Sequence, residues 1–377
     1  MKLYSDRIVL KDRFVEGYLE IKEDIIQSVH IGQKPETDYI DCTGKIIMPG
    51  LINIQNDDFI QEEYSPYFSP FPKRKAFSQI ERLNVFSGVT TIYHCINMNR
   101  FLEEHSEQEA LEELQFLKDV ERKNHLIDHC VHLKFQLGSV QHIDFIWELL
   151  NGNLVDMITY ISQNGQERYR DKYFFQYIKD KFQISDSFTW AILNRIEKQR
   201  GQIKLEELSL RLKYVYGAKI PVATTDYRIS RDIQTRYRMN IPIILDSFEK
   251  EALDYIQQND KHATIDINNL WDLEQITDYS AGITRRSYSV VTANKKVENL
   301  LESIFIMAEE IGLVEAVRMG TYNPAQALNL RQKGEIAEGK TADCRRRTRP
   351  YTGQCHDRQQ RSNYFEYELE KINKCIY

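Results

Sequence analysis

Apolar runs of strand length alternate, from residue 46 onward, with longer stretches whose apolar residues recur at helical spacing. The strand candidates span residues 88–92, 131–137, 157–162, 220–225, 242–246 and 288–292. One helical candidate carries Ala110, Leu111, Leu114, Leu117 and Val120 on a single face. Because repeated strand–helix units pair their strands in parallel, the alternation predicts an α/β barrel rather than a β-sandwich.

The first 45 residues follow a different pattern, in which short β-type runs are separated by turns. Residues 8–10, 18–21 and 24–29 form such runs. Their hairpin-like spacing predicts a small antiparallel sheet that precedes the barrel.

Composition and charge narrow the class of protein. The chain of 377 residues is long enough for one large barrel and a small accessory domain. Its net charge of −6 gives no reason to expect binding to nucleic acid or to an anionic membrane. No apolar run reaches membrane-spanning or signal-peptide length. The six cysteines are scattered without a CxxC pair, which favours a reducing, cytoplasmic location.

Four short motifs stand at the two ends of the alternating region. They read Pro49-Gly50-Leu51, Gly88-Val89-Thr90-Thr91, "NPAQALNL" at 323–330 and "GEIAEGKTAD" at 334–343. In combination they resemble the amidohydrolase superfamily. The resemblance implies a distorted (β/α)8 TIM-type barrel, the metallo-dependent hydrolase fold, with a small β-sandwich domain built from the chain ends. We therefore expect residues 1–48 and 331–377 to form the small domain and residues 49–330 the barrel.

Within the superfamily, the likeness is nearest to the triphosphate diphosphatases of phosphonate metabolism. Three stretches carry it: residues 65–72, residues 128–134 and the Asn164–Arg168 loop. This narrower resemblance implies a divalent metal centre and the release of pyrophosphate from a ribose triphosphate-type ester.

Carried over position by position, the metal ligands of the family fall mostly on neutral polar residues of this chain. The positions are Gln55, Asp57, Gln136, Ser162 and Thr225, with Asp226 kept beside the last of them. The catalytic Asp of the family falls on Asn294. A catalytic zinc-type site needs about three protein ligands from imidazole, thiolate or carboxylate. We therefore expect no metal cofactor, and a Zn, Mn or Fe ion only if the protein is an active hydrolase.

His129 and His132 invite a metal interpretation, but their odd spacing puts them on opposite faces of a strand. We expect His129 to face the helices and His132 to be a hydrogen-bonded core residue, and we interpret His94 as a packed histidine. The same alternation turns Lys134 into the barrel. There it pairs with Asp57 in place of the missing cation, or reaches toward the barrel rim.

Basic residues gather after several of the predicted strands. Loops at these positions line the ligand-binding face of a barrel, and arginine binds phosphate in a bidentate manner. We interpret Arg168 and Arg228, with Lys134, as candidate phosphate-binding residues; a solvated charged loop is the alternative for each of the arginines.

After Asp343 the sequence departs abruptly from the family pattern and reads Cys344-Arg345-Arg346-Arg347. Residues 344–377 hold eight Lys/Arg and four Asp/Glu, a net charge of 8 − 4 = +4. Two interpretations stay open: a shift of reading frame near codon 344, and a basic tail that binds an acidic partner.

Three functions follow from these patterns. The leading hypothesis is a degenerate, metal-poor family member, a pseudoenzyme that binds an anionic phosphorylated small molecule. The second is an active metal-dependent hydrolase with an altered centre around Asp57, Asp226 and His132. The third is a decaying gene product without a selected role. A homo-oligomer is compatible with all three.

Overall fold

The computed structural model describes residues 1–57, 73–98, 107–121, 126–136, 142–161, 175–176, 179–180, 183–200, 220–245, 250–266, 288–291 and 298–343. The chain divides into two compact units. The first comprises Met1–Cys95, Val120–Cys130 and Asn259–Tyr377, and the second comprises Ile96–Asp119 and Val131–Gln258.

A five-stranded sheet lies at the start of the first unit. Its strands are β1 (Lys2–Val9), β2 (Phe14–Lys22), β3 (Ile25–Ile31), β4 (Tyr39–Asp41) and β5 (Ile46–Ile47). The order is β3-β2-β1-β4, and β5 also pairs with β1. The β2–β3 hairpin turns through Glu23 and Asp24, whose φ angles of 52° and 62° suit a two-residue turn between twisted strands. The predicted antiparallel sheet is confirmed in β1–β3, while β4 and β5 join it in parallel.

The core of this small sheet draws on both ends of the described chain. Leu3, Ile8, Leu19 and Ile26 pack in one buried cluster with Ile336. Ile336 belongs to residues 331–343, which we call the return segment. Backbone hydrogen bonds hold that segment in place, since the Ile26 N–H donates to the Lys340 carbonyl at 2.9 Å. Apolar side chains from the N-terminal strands and from the return segment are buried together, and this burial stabilises the return of the chain to the small sheet.

A second sheet contains eight strands among the described residues. They are β6 (Leu51–Asn56), β7 (Val89–Met98), β8 (Asp128–Gln136), β9 (Met157–Ile161), β10 (Val222–Thr224), β11 (Ile243–Ile244), β12 (His262–Asp266) and β13 (Tyr288–Val291). They run in sequence order from β6 to β13. Within the first unit β13 also contacts β6, as a barrel requires of its first and last strands.

Helices follow most of these strands. They are α1 (Lys73–Phe86), α2 (Glu107–Glu121), α3 (Ile143–Asn151), α4 (Asp186–Arg200), α5 (Tyr227–Tyr237), α6 (Lys250–Gln258), α7 (Glu298–Ile311), α8 (Leu313–Gly320) and α9 (Tyr322–Ala327). The predicted fold class, an α/β barrel with a small additional sheet, is confirmed. Among the described helices, none is both long and apolar enough to cross a membrane.

Most strand predictions agree with the structure to within a few residues. The exception is β12, which the sequence patterns did not reveal. Its five residues, His-Ala-Thr-Ile-Asp, follow a turn at Asp260, which has a φ of 49°. The proposed domain boundaries stay a prediction, and residues 344–377 lie outside the described part of the chain.

Candidate functional site

The first barrel strand, β6, carries two of the predicted site residues. All six residues of β6 are buried. Gln55 is 4% exposed, and its backbone N–H faces the Asn53 side-chain oxygen at 3.5 Å. Asp57 directly follows the last strand residue and is partly exposed. The carboxylate therefore stands at the carboxyl end of the strand, where barrel proteins place their functional groups.

One face of the β8–β9 pair is polar and buried. The His132 Nε2 and Thr159 Oγ1 atoms are 2.6 Å apart, and both residues are fully buried. Lys134 is 7% exposed and pairs with Thr159 in the strand register. The prediction that His132 is a hydrogen-bonded core residue is thus confirmed, and its imidazole and Lys134 share the face that also carries Thr159.

The carboxyl end of β10 leads directly into helix α5. The Thr225 N–H donates to the Tyr160 carbonyl at 3.2 Å. Asp226 is the N-cap of the helix, and its Oδ1 accepts from the Arg228 N–H at 2.9 Å. Asp is one of the residues that best satisfy the free N–H groups of a first helical turn. Asp226 therefore stabilises the amino end of α5, independently of any contact with a ligand.

Two arginines flank an aromatic ring on the first turns of α5. The guanidinium carbons of Arg228 and Arg231 lie 5.0 Å and 6.0 Å from the centre of the Tyr227 ring. Both side chains are about half exposed, at 50% and 54%. The arrangement puts two cations at the amino end of a helix, which itself favours negative charge.

The remaining predicted site residues lie wholly or partly outside the described part of the chain. Ser162, Arg168 and Asn294 lie outside the described residues, and only the backbone of Gln136, the last residue of β8, is described. Asp57 and Lys134 belong to different compact units, so the ion pair between them stays a prediction.

The donor chemistry at the positions to which the resemblance assigns the metal ligands does not fit a transition-metal site. Gln55 offers an amide, Thr225 a hydroxyl and Asp57 a single carboxylate, whereas zinc-type sites use imidazole, thiolate and carboxylate groups. Within the described ranges, no group of three or more His, Cys, Asp or Glu side chains is arranged to hold a metal ion.

A buried chain of polar side chains connects α1 with β7 and β8. The His94 Nε2 lies 2.9 Å from the His129 Nδ1, and the His129 Nε2 lies 3.4 Å from Glu81 Oε1. Phe77 of α1 packs on His129 with its ring centre 4.4 Å away. His129 thus faces a helix and His94 is packed in the core, as predicted. Burial, and next the neighbouring His129, lower the pKa of His94 well below its usual value.

A second, partly buried cluster surrounds Lys333 and was not predicted from the sequence. The Lys333 Nζ lies 2.6 Å from Asp128 Oδ2, 3.1 Å from Asp343 Oδ1 and 2.8 Å from Thr91 Oγ1. Burial opposes the charged form of Lys333, but the carboxylates of Asp343 and Asp128 outweigh this effect and raise its pKa. The cluster joins the return segment to the start of two barrel strands.

The unpredicted strand β12 ends at Asp266, whose backbone pairs in the register with Val291 of β13. The usable sequence signal for this strand was the β-branched pair Thr264-Ile265.

Sequence comparison gives two matches. The model of the amidohydrolase family matches residues 263–344. The chain is also 22% identical, over 91% of its length and 94% of the relative, to the alpha-D-ribose 1-methylphosphonate 5-triphosphate diphosphatase of Escherichia coli K12. These matches confirm the resemblance inferred from the motifs.

Structural comparison agrees on the fold. N-acetyl-D-glucosamine-6-phosphate deacetylase from Mycobacterium smegmatis superposes with a TM-score of 0.61 at 14% identity, covering 91% of this chain and 93% of the deacetylase. The corresponding deacetylase from Thermotoga maritima gives 0.60 at 15% identity, with coverage of 91% and 93%. At such low identities the likeness is one of fold alone.

Proposed function

We propose that this chain, a member of the amidohydrolase superfamily, binds a phosphorylated small molecule and does not carry out efficient metal-dependent hydrolysis. The observation that carries the proposal is the donor set at the strand ends. The resemblance implies metal-ligand positions at Gln55 and Thr225, and neither side chain is a usual ligand for a transition metal. Without such an ion, water is not activated as a nucleophile at neutral pH.

The positive charges on the described strand ends and helix termini support an anionic ligand. Arg228 and Arg231 present two guanidinium groups directly after β10, and guanidinium groups match phosphate geometry. Lys134 adds an amine on the buried face of β8. In our proposal Arg228, Arg168 and Lys134 contact the ligand.

The names of the similar proteins support a phosphate group on the ligand. The Escherichia coli relative is named for a ribose methylphosphonate triphosphate, and the deacetylases for N-acetylglucosamine 6-phosphate. These ligands share a sugar and a phosphate ester, although the reactions named differ. We therefore propose a phosphorylated sugar as the ligand class.

Calorimetric titration of chelator-treated protein tests this proposal. Ribose 5-phosphate is expected to bind saturably, and ribose at the same concentrations is expected not to bind. Replacement of Arg228 by Met should weaken ribose 5-phosphate binding about tenfold, the cost of one charge-assisted contact. Arg236→Met is the matched control, because Arg236 is exposed on the same helix but lies in its last turn. Equal binding of ribose and ribose 5-phosphate would refute the proposal.

An active metal-dependent hydrolase is the second candidate. The similarity to a diphosphatase over nearly the whole chain favours it, and Asp57 and Asp226 are carboxylates at strand ends. Pyrophosphate release from a ribose triphosphate ester, dependent on added Zn²⁺ or Mn²⁺ and lost in Asp57→Asn, would establish this candidate against the first.

We also propose a cytoplasmic location. Three described cysteines, Cys42, Cys95 and Cys130, are free thiols. Free thiols are typical of a reducing compartment. Fractionation of the native host cells, with detection by antibody, tests this part of the proposal; recovery from a secreted fraction would contradict it.

A further inference from the structure

We infer that the outer faces of α1 and α7 form the contact surface of a symmetric dimer, in which α1 of one protomer packs antiparallel to α7 of its partner. Both helices belong to the first compact unit, where they contact each other. The inference goes beyond the proposed function and is independent of it, because neither helix carries a residue that we assign to the phosphorylated ligand.

Helix α1 has one buried face and one exposed face. Phe77 and Ile80 lie on the buried face and are at most 3% exposed. The opposite face carries Lys75, Gln79 and Leu83 at intervals of four residues, so that they form one stripe along the helix. All three are exposed, and Leu83 leaves 47% of its surface in solvent. The outer stripe of α1 therefore combines a cation with an apolar side chain.

Helix α7 repeats this division with the opposite charge. Leu300 and Ile304 are fully buried. Glu302, Ile306 and Glu310 follow one another at intervals of four residues on the exposed face. Ile306 is 44% exposed, so an apolar side chain again stands in solvent, here between two carboxylates. The two neighbouring helices thus present complementary stripes.

The charges at two of the helix ends have the sign that the helix dipole disfavours. The first turn of α1, as described, contains Lys73, Arg74 and Lys75 and no acidic residue. The last turn of α7 contains the exposed Glu309 and Glu310 and no basic residue among those described. A helix dipole favours anions at its amino end and cations at its carboxyl end. A partner surface of opposite charge at each end removes the conflict, and a local rule broken in this way points to an interaction site.

A twofold axis between the two helices brings these ends together. Only Ser87 and Gly88 separate α1 from β7, so α1 runs toward the amino ends of the strands. The helices of a barrel share this direction, and α1 and α7 therefore lie side by side with the same polarity. Rotation by half a turn reverses the helices of the partner, so that the basic start of α1 meets the acidic end of the partner's α7. The same alignment puts Leu83 within about one helical turn of the partner's Ile306.

The balance of charge favours a second copy of this chain as the partner. The surface carries both the cations and the carboxylates that it needs, and symmetry uses each set twice. A nucleic acid or an acidic peptide would match α1 but would be repelled by α7, and a basic peptide would have the reverse preference. Only a partner with both charges side by side matches the whole surface.

Sedimentation velocity of the full-length protein tests the inference at its first level. The weight-average sedimentation coefficient should rise from the monomer value to the dimer value as the protein concentration increases through the micromolar range. It should return toward the monomer value at about 1 M NaCl, where exposed charges are screened within about 3 Å. A protein that remains monomeric at low salt and high micromolar concentration overturns the inference.

Two charge-reversed variants test the proposed pairing of the helices. One carries Arg74→Glu with Lys75→Glu on α1, and the other carries Glu309→Lys with Glu310→Lys on α7. Each variant alone should dimerise at least 100-fold more weakly than the parent, because like charges then face each other at both symmetric contacts. An equimolar mixture of the two should dimerise again, since every contact in the mixed dimer joins opposite charges.

Folding of the variants is checked by thermal unfolding. Both reversals give the helix ends the sign that the dipole favours, so their midpoints should equal or exceed that of the parent monomer. Lys22→Glu, at an exposed position of β2, is the control and should leave dimerisation unchanged. Folded variants that dimerise like the parent, or that stay monomeric when mixed, overturn the inference.

Discussion

Two lysines, Lys333 in the first compact unit and Lys134 in the second, are both largely removed from solvent, but the side chains around them differ. Lys333 is enclosed by the carboxylates of Asp128 and Asp343 and by the Thr91 hydroxyl. Lys134 is 7% exposed, lies on the face of β8 that also carries His132, and pairs in the register with Thr159 of β9. The first lysine cross-links separate segments of the first unit, whereas we propose the second as a contact to the ligand.

The difference separates a segment that matches the family motifs from positions where the sequence departs from the family pattern. The cluster around Lys333 ties the return segment to the barrel, and Asp343 belongs to the motif that resembles the family. At the strand ends, by contrast, the resemblance assigns metal-ligand positions to Gln55 and Thr225, whose side chains are neutral. In our proposal the residues of the family motif maintain the fold, while the strand ends no longer bind a metal ion.

The largest expected effect comes from breaking the structural cluster. Lys333→Met removes one cation from two carboxylates, and loss of one partner from a buried ion pair typically costs about 3–5 kcal/mol. We expect the free energy of unfolding, measured with urea, to fall by that amount. Lys134→Met should cost less than half as much, and Lys22→Met, on an exposed strand position, should cost almost nothing. Equal losses for Lys333→Met and Lys134→Met would remove the distinction between the two lysines.

The pH dependence of stability gives the next largest effect. Burial lowers the pKa of His262 from 6.5 to about 3, and it lowers the pKa of His94 in the same direction. The unfolded chain binds protons below pH 6.5 that the folded chain does not. Stability should therefore fall as the pH decreases from about 6.5, by about 1.4 kcal/mol per pH unit for each histidine, and the His262 contribution should level off near pH 3.

His262→Gln provides the control for that measurement. The His262 Nε2 lies 2.7 Å from the Ser289 Oγ, and glutamine retains a side-chain hydrogen-bonding group without titrating. Urea denaturation between pH 4 and pH 7 should show a slope smaller by about 1.4 kcal/mol per pH unit in the variant. An unchanged slope would mean that His262 is not held neutral by the fold.

Asp226→Ala should have an intermediate effect on stability. The substitution removes the cap that accepts the Arg228 N–H, and N-cap losses cost about 1 kcal/mol. Asp226→Asn should restore most of the loss, because asparagine also caps helices well. If both variants kept full stability, the carboxylate would be free for a role toward the ligand rather than committed to the helix.

The smallest effect on stability is expected at Arg228, although its effect on binding is large. The side chain is half exposed, and surface substitutions usually change stability by less than about 0.5 kcal/mol. Thermal unfolding of Arg228→Met should therefore match the parent, while calorimetry records the loss of ribose 5-phosphate affinity. A variant that bound normally would show that the phosphate site lies elsewhere.

The sequence predicted the fold well because the signals for it are local. Alternation at 131–137 and short apolar runs elsewhere gave most barrel strands, and the motifs at both ends linked them to one family. Strand β12 was not predicted, because its five residues follow a lysine and begin with a histidine, which leaves only a short apolar run.

The polar clusters were not predicted for another reason. Lys333 contacts Asp128 and Thr91, which lie more than 200 positions away in the sequence. No local sequence pattern predicts a contact between residues so far apart. The His94–His129–Glu81 chain likewise joins three elements. At the candidate site, the residue types at ligand positions were readable, whereas the capping role of Asp226 and the Thr159–His132 pair required the structure.

The metal content of the protein, purified from its native host without chelators, tests the central claim most directly. Elemental mass spectrometry should find Zn, Mn, Fe and Co together at well below one ion per chain, because the described strand ends offer too few imidazole, thiolate and carboxylate groups. About one ion or more per chain, retained through gel filtration and lost in Asp57→Ala, would contradict it.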